Sequence, residues 1–335
     1  MRVAVVGAGW AGCAAAVQAL RLGHEVELIE AARQPGGRAR SLRLQHEGQA
    51  LELDNGQHIL IGAYTETLRL MQDLGVEPGP HLHRCPLSLR FADGRGLRLP
   101  PWPRQPLLAV ALGVLGAAGW SLRDRLALLM RAARWQAQGF VCADPVSVQS
   151  LCAGLPPRVM RELIEPLCAS ALNTPPERAS AQVFLRVMRD ALLSQTGGSD
   201  LLLPLRDLGT LLPDAALRYL REAGAAVRLG QRVRTLSRTE GHWQVQGGAE
   251  PLQQGLGFDA VILACTAAEA ARLVQPIAGA QTWQQRAEGL DHEAIATVYA
   301  WARGKRLDAP MLALDEDPAR PGLSAQFVFD RGQLG

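Results

Sequence analysis

"VAVVGAGWAGCAAAVQALRLG", residues 3–23, decides how the chain is read. Residues 3–6 are short, apolar and mostly β-branched, which suits a buried parallel strand. Gly7, Gly9 and Gly12 follow in G-x-G-x-x-G spacing. Gly7 permits a tight turn out of the strand, Gly9 lets backbone approach a pyrophosphate, and Gly12 lets the next helix pack closely on the strand. Ala8, Trp10 and Ala11 complete the loop. The helix N-terminus then offers free N–H groups to phosphate. The helix continues through residues 14–22, and Gly23 can end it. A second strand, "EVELIE", closes on Glu30, an acid placed to accept hydrogen bonds from both ribose hydroxyls, with Ala31 beside it. Strand, glycine turn, helix, strand and acid together predict a Rossmann-like dinucleotide-binding domain. The competing reading is a glycine-rich turn in some other α/β fold. A basic residue and an apolar run at the N-terminus also resemble a secretory signal, but the glycine spacing and the strand that follows argue against one.

The bulk numbers agree with a globular protein of about two domains. The chain has 335 residues, of which 48% are hydrophobic and 20% charged, so a sizeable core is expected. Net charge is +3 and the arginines are spread along the chain, which predicts no nucleic-acid partner. Six cysteines are scattered without a C-x-x-C pair. They read as reduced thiols in a cytoplasmic protein, with neither a disulfide framework nor a zinc site. His81 and His83 lack an evident third ligand, so no metal is expected.

"GGRARS", residues 36–41, narrows the dinucleotide. A second glycine pair, Gly36 and Gly37, lets another backbone segment approach the same phosphates, and Arg38 can add a charge-assisted hydrogen bond. The order GxGxxG, Glu, GGR resembles the flavin amine oxidase and phytoene desaturase superfamily. That resemblance implies FAD. It also implies that the strand after GGR delivers "DNGQH" to the flavin: Asn55, Gly56, Gln57 and His58 beside the ring and the mouth of a substrate cavity. Asp-Asn-Gly is equally the chemistry of a hairpin turn. Later in the chain, Val233 in "GQRVRTL" would touch adenine, and Thr266 after "VILAC" would approach the diphosphate.

The middle of the chain is helical. Arg104 and Arg123 bracket an uncharged stretch whose apolar centre, residues 107–120, is too short to span a bilayer. A buried helix and a monotopic membrane patch flanked by Trp102 and Trp120 both account for it. "SLRDRLALLMRAARWQAQG" has helical spacing and ends at Gly139. Pro166 should kink or break the next helix. Thr174 and Glu177 have capping-box spacing for another. Strand signals return in "HWQVQG" and "FDAVILAC". The expected fold is α/β with two domains. A Rossmann-like FAD-binding domain covers 1–80 and 200–275. A helix-rich plus β-sheet substrate domain, inserted into it, covers 81–199 and 276–335.

"DNGQHILIGAY", "EPLCASALNTPPERAS" and "GGSDLLLPLRDLGTLLPDAAL" resemble the hydroxysqualene dehydroxylase family, FAD-dependent oxidoreductases of bacterial squalene and hopanoid biosynthesis. The resemblance implies a C30 isoprenoid substrate whose allylic hydroxyl is replaced by hydride. The expected location is the cytoplasm, with peripheral contact at the inner face of the plasma membrane as the further reading that the apolar stretch 107–120 adds. It makes His58 the first candidate acid for the leaving hydroxyl, with Asp54 as its orienting partner and Glu165 and Asn173 as weaker candidates for the cavity wall. A structural turn histidine is the alternative for His58. The family continues into a C-terminal flavin segment that is not found in these residues, so the contacts it supplies are not expected here. An isoprenoid desaturase, a non-catalytic prenyl-lipid binder and an inactive fragment remain as other readings.

Overall fold

The computed structural model describes residues 1–46, 48–247, 257–302, 304–315 and 325–334. The domain ranges expected from sequence include residues outside these. The chain forms two compact units: Met1–His58, Glu66–His81 and Arg206–Thr297 make the first, and Ile59–Thr65, Leu82–Leu205 and Val298–Gly335 the second. The fold is α/β, as the sequence predicted.

Unit one is built on a parallel sheet. Strand β1 (Arg2–Val6) lies between β2 (Glu25–Glu30) and the strand Ala260–Leu263, and Ala226–Leu229 adds on the far side of β2. Val3, Val5, Leu28 and Ile29 are buried, as expected for strands covered on both faces. Helix α1 (Trp10–Arg21) crosses from β1 to β2 and buries Cys13, Ala16 and Val17. These small side chains let it lie close to the sheet. Gly23, at φ +79°, ends the crossover by donating its N–H to the Leu20 carbonyl. The helix Pro213–Glu222 packs on α1 and stops before Gly224, at φ +81°. Strands β3 (Ser41–His46) and β4 (Gln49–Asp54) form an antiparallel hairpin. A strand that begins at Thr235, two residues past Val233, pairs with His242–Gln246, where strand signal was expected. Val233 itself packs with Leu236, Val245 and Leu273 against Ile29.

Unit two is helix-rich. Its core centres on Trp135 and Phe184, whose rings meet edge to face with centroids 6.1 Å apart. The helix Leu122–Ala137 starts in a capping box between Ser121 and Asp124 and ends before Gly139, at φ +67°. Trp120 follows the buried one of the two readings of its stretch. It is only 4% exposed and donates its indole N–H to Glu162 at 2.7 Å, because a buried indole needs an acceptor and Glu162 is buried beside it. Pro166 is accommodated rather than disruptive. The chain widens into a π-helical turn at Met160–Ile164 and restarts as Glu165–Leu172, so the proline falls in a first turn that needs no N–H from it. The capping box at Thr174 does not form. Val148 and Gln149 donate to the carbonyls of Ala179 and Pro176, which holds this segment in turns. The helix starts instead at Ala181, capped by Ser180. Leu60–Ile61 pairs antiparallel with Leu201–Pro204, which also pairs with Leu82–Cys85.

Two glycines of the crossover test this packing by different means. A Cβ on Gly12 would stand 1.8 Å from the Gly7 carbonyl oxygen, whereas one on Gly23 would meet nothing within 4 Å. We expect Gly12→Ala to cost about 3 kcal/mol or more, since β1 or α1 must move. Gly23→Ala should cost about 1 kcal/mol, from its left-handed backbone alone. Urea midpoints of the two variants measure the difference, and equal losses would contradict the close packing of α1 on β1.

Candidate cofactor site

The residues anticipated from the nucleotide motifs all lie in unit one, at the carboxyl edge of the parallel sheet. Gly7 follows β1, Ala31 follows β2, Val233 follows Ala226–Leu229 and Thr266 follows Ala260–Leu263. Ligands of open parallel sheets bind beyond this edge.

The first glycine motif is a backbone surface. Gly7 has φ +108°, donates to the Ile29 carbonyl at 2.7 Å, and leaves no room for a side chain, since a Cβ would come within 2.7 Å of the Ala264 carbonyl oxygen. Gly9 is the N-cap of α1. No side chain caps this helix and no acid stands in its first turn, so its N-terminal donors and positive dipole end are available to an anion. A Cβ on Gly9 would find only Gly37 Cα, at 3.9 Å, so the space over it is open.

The two glycine motifs are laced together. Gly36 donates its N–H to the Ala8 carbonyl at 2.8 Å, and Gly36 and Gly9 form a parallel bridge. A Cβ on Gly37 would approach Gly9 Cα to 3.1 Å. The Trp10 indole donates to the Ala39 carbonyl at 3.0 Å. Ala11 is exposed on the first turn of α1. Glu30 joins the second strand to this surface: its two carboxylate oxygens accept the N–H groups of Ala8 and Ala32, each at 2.7 Å. A carboxylate can accept about four hydrogen bonds, so capacity remains for two ribose hydroxyls.

The cations follow. Arg38 is exposed, and its guanidinium makes no ion pair or hydrogen bond among the described residues. Sequence reasoning passed over Arg40, the second arginine of "GGRARS". Its Nη1 donates to the Gly37 carbonyl at 3.3 Å, while its Nε is buried without a partner among the described residues. A buried guanidinium N–H left unpaired is costly, and a phosphate oxygen is an acceptor of the right charge. The signal was the Arg-x-Arg spacing itself.

Residues 54–58 form a bend at the far end of β4. Ser41 pairs with Asp54 and His46 with Gln49, so the β3–β4 turn lies elsewhere. Asn55 ties the bend to the second glycine motif, donating from its side chain to the Arg38 carbonyl at 2.9 Å and from its backbone to the Arg40 carbonyl at 2.8 Å. Gly56, at φ +90°, makes the reversal. The Gln57 side-chain amide donates to the His58 carbonyl at 3.1 Å. His58 Nδ1 lies 3.0 Å from the Gly56 carbonyl. A carbonyl only accepts, so Nδ1 carries the proton and Nε2 is the nitrogen left to exchange one. Gly56 thus orients the ring, a service the sequence reading assigned to Asp54. Asp54 is buried, and its carboxylate accepts the Leu208 N–H at 2.8 Å.

At the other strand ends, the Val233 carbonyl accepts Arg272 Nη2 at 3.0 Å, and Thr266 caps the helix Ala267–Val274 by accepting the Glu269 N–H. Cys13 lies beneath the glycine turn, where burial and then the Glu30 and Asp214 carboxylates push its thiol up to about 12. Glu165 and Asn173 belong to unit two.

The sequence profile described as "Flavin containing amine oxidoreductase" matches residues 10–330. The chain belongs to that family. Hydroxysqualene dehydroxylase from Sinorhizobium fredii is 29% identical over 81% of this chain, and that from Rhodopseudomonas palustris is 28% identical over the same share. The chain spans 63% of the length of each. A crystal structure of an oxidoreductase from Methanosarcina mazei superposes with a TM-score of 0.60 at 18% identity, covering 87% of this chain and 65% of that one. This likeness is one of fold. The family's cofactor is a flavin, and the residues present fit FAD: an open glycine cradle, an uncapped helix N-terminus, free acceptor capacity on Glu30, and an Arg40 nitrogen without a partner among the described residues.

Glu30→Gln tests the cradle directly. The amide must point an N–H₂ group at the N–H of Ala8 or Ala32. We expect about 1–3 kcal/mol of lost stability in urea unfolding. FAD affinity, titrated by flavin fluorescence, should fall at least about tenfold, the loss of one charge-assisted bond. Unchanged values on both measures would remove Glu30 from the site.

Proposed function

We propose that this protein is an FAD-dependent oxidoreductase that reduces hydroxysqualene to squalene, and that it works at the inner face of the plasma membrane. Two relatives bearing the name hydroxysqualene dehydroxylase, matched over 81% of this chain, support the substrate. The observation that carries the chemistry is the His58 imidazole, oriented by the Gly56 carbonyl on a bend that Asn55 ties to the glycine cradle.

The reaction replaces a C–O bond with a C–H bond and releases water. It consumes one proton and one hydride. Reduced FAD, when bound, supplies the hydride. His58 has the task of holding the proton: with Nδ1–H committed to Gly56, the imidazolium carries its transferable proton on Nε2. Gly9, Gly36 and Gly37 form the backbone that receives the diphosphate, Gly7 and Gly12 set the turn and the helix packing beneath it, and Arg38 and Arg40 neutralise it. Glu30 takes the ribose of the adenosine half. Val233 and Thr266 border the same edge. Asp54 keeps the end of β4 in register by holding the Leu208 N–H.

Two measurements test this reading. Protein denatured after loading should release FAD, and the native chain should take up FAD and not nicotinamide dinucleotides. With dithionite-reduced FAD and hydroxysqualene, the chain should form squalene, followed by gas chromatography. His58→Ala should slow that step about a hundredfold to ten-thousandfold while leaving FAD affinity unchanged, because an acid acts on the leaving group in the transition state. A slowing of less than about threefold would make His58 a structural residue of the bend, since general acid help is ordinarily larger. Conversion of squalene-type polyenes to more unsaturated products, without dehydroxylation, would overturn the substrate.

A further inference from the structure

We propose that unit two carries a docking surface for an anionic lipid bilayer, made by the helices Pro106–Leu115 and Leu122–Ala137. The inference rests on the membrane location proposed above and deepens it, while standing apart from the reaction. The stretch 107–120 looked from sequence like a single element that was either buried or membrane-bound, and the structure divides it. Gly113, Val114, Ala117 and Trp120 are buried in the unit-two core. Leu107, Leu108, Leu112 and Leu115 point the other way and are 43–49% exposed. Three of these, at 108, 112 and 115, share one helical stripe.

The next helix repeats the arrangement. Leu122, Leu126 and Met130 recur every fourth residue and are 66%, 45% and 67% exposed. The two helices pack on each other. Trp102, just before the first, is 79% exposed. Single exposed leucines are ordinary, but rows of them on adjoining helices mark a surface that meets something apolar.

Charge selects the partner. Between residues 102 and 134 the chain holds five arginines and one acid. The acid, Asp124, is buried and bonded to Ser121. Arg104, Arg123 and Arg134 are exposed, and their guanidinium groups make no ion pair or hydrogen bond among the described residues. Arg125 and Arg131 donate to backbone carbonyls and to no carboxylate. A second copy of the chain would bring the same uncompensated positive charge against this face. A bilayer with acidic headgroups offers an apolar layer for the leucines and phosphates for the arginines. Among the described residues no helix is long and apolar enough to cross a membrane, so these two would lie along the surface. An exposed tryptophan suits the headgroup boundary.

The test is flotation of the full chain with vesicles of phosphatidylcholine alone and of phosphatidylcholine mixed with phosphatidylglycerol. We expect binding to the mixed vesicles, at least about tenfold weaker binding to the neutral ones, and loss of binding with added salt. Leu108→Asp with Leu126→Asp should lower partitioning at least about tenfold, since charges replace the apolar contacts, with an unchanged urea midpoint because both positions are exposed. Arg123→Gln and Arg134→Gln should each lower binding to mixed vesicles about fivefold and leave neutral vesicles unaffected. Wild-type chain that ignores mixed vesicles, or an aspartate variant that binds like wild type, would overturn the proposal. So would concentration-dependent dimerisation that the aspartates abolish in a chain that does not float, which would assign the face to a second copy. Partitioning is read without turnover, so failure of the proposed reaction and failure of this surface are separate results.

Discussion

The Glu30 carboxylate, held between the N–H groups of Ala8 and Ala32, is the constraint on which the cofactor site depends. It fixes the end of β2 against the turn that leaves β1. Without it, two buried-edge donors would be unpaired, and the glycine turn would lose its reference to the neighbouring strand. Everything that follows in this region is measured from that turn. Gly36 reaches the Ala8 carbonyl, Trp10 reaches Ala39, and the second glycine pair is drawn over the first. Positive-φ backbone at Gly7, Gly36 and Gly37 makes the surface from peptide groups alone. A surface of that kind suits a diphosphate because peptide donors, a helix N-terminus and arginines all present the same sign.

The bend at residues 54–58 inherits its position from the same lacing. Asn55 spends both its backbone and side-chain donors on the segment that carries Arg38 and Arg40. Asp54 is consumed from below by the Leu208 N–H, at the start of a short helix that Asp207 caps. The polar residues of this stretch therefore divide their work. Asp54 and Asn55 hold the chain, Gly56 turns it, and His58 retains a ring nitrogen that the bend does not use. A cluster that read in one dimension as either a turn or a site is held mostly by its own hydrogen bonds, and the half-buried imidazole keeps one ring nitrogen to spare.

Unit two follows a different logic. Its polar groups at depth are closed into a local network, in which Glu162 receives the indole of Trp120 and the guanidinium of Arg95. The two π-helical turns let the helices shift phase, so that Pro166 is absorbed and apolar side chains still reach the core around Trp135 and Phe184. What is left over on the outside is the double row of leucines, with arginines around it that make no ion pair among the described residues. Core formation consumed one face of each helix and left apolar side chains on the other.

Local chemistry determined much of this protein. The turn at Gly7, the close packing at Gly12, the acid at Glu30 and the second glycine pair each follow from backbone sterics or hydrogen-bond capacity within a few residues, so the Rossmann-like unit and the flavin family were legible in "VAVVGAGWAGCAAAVQALRLG" and "GGRARS". Helix ends at Gly23 and Gly139 were legible for the same reason. The tertiary structure decided what depends on partners far along the chain. The capping of Thr174 was pre-empted by N–H groups from residues 148 and 149, and Trp120 was claimed by Glu162. Asp54 was claimed by Leu208, and Arg40 was left with a buried nitrogen unpaired among the described residues. A residue's type states which bonds it can make, but which bond it makes is set by the donor or acceptor that folding brings within 3 Å, and that neighbour is written elsewhere in the sequence.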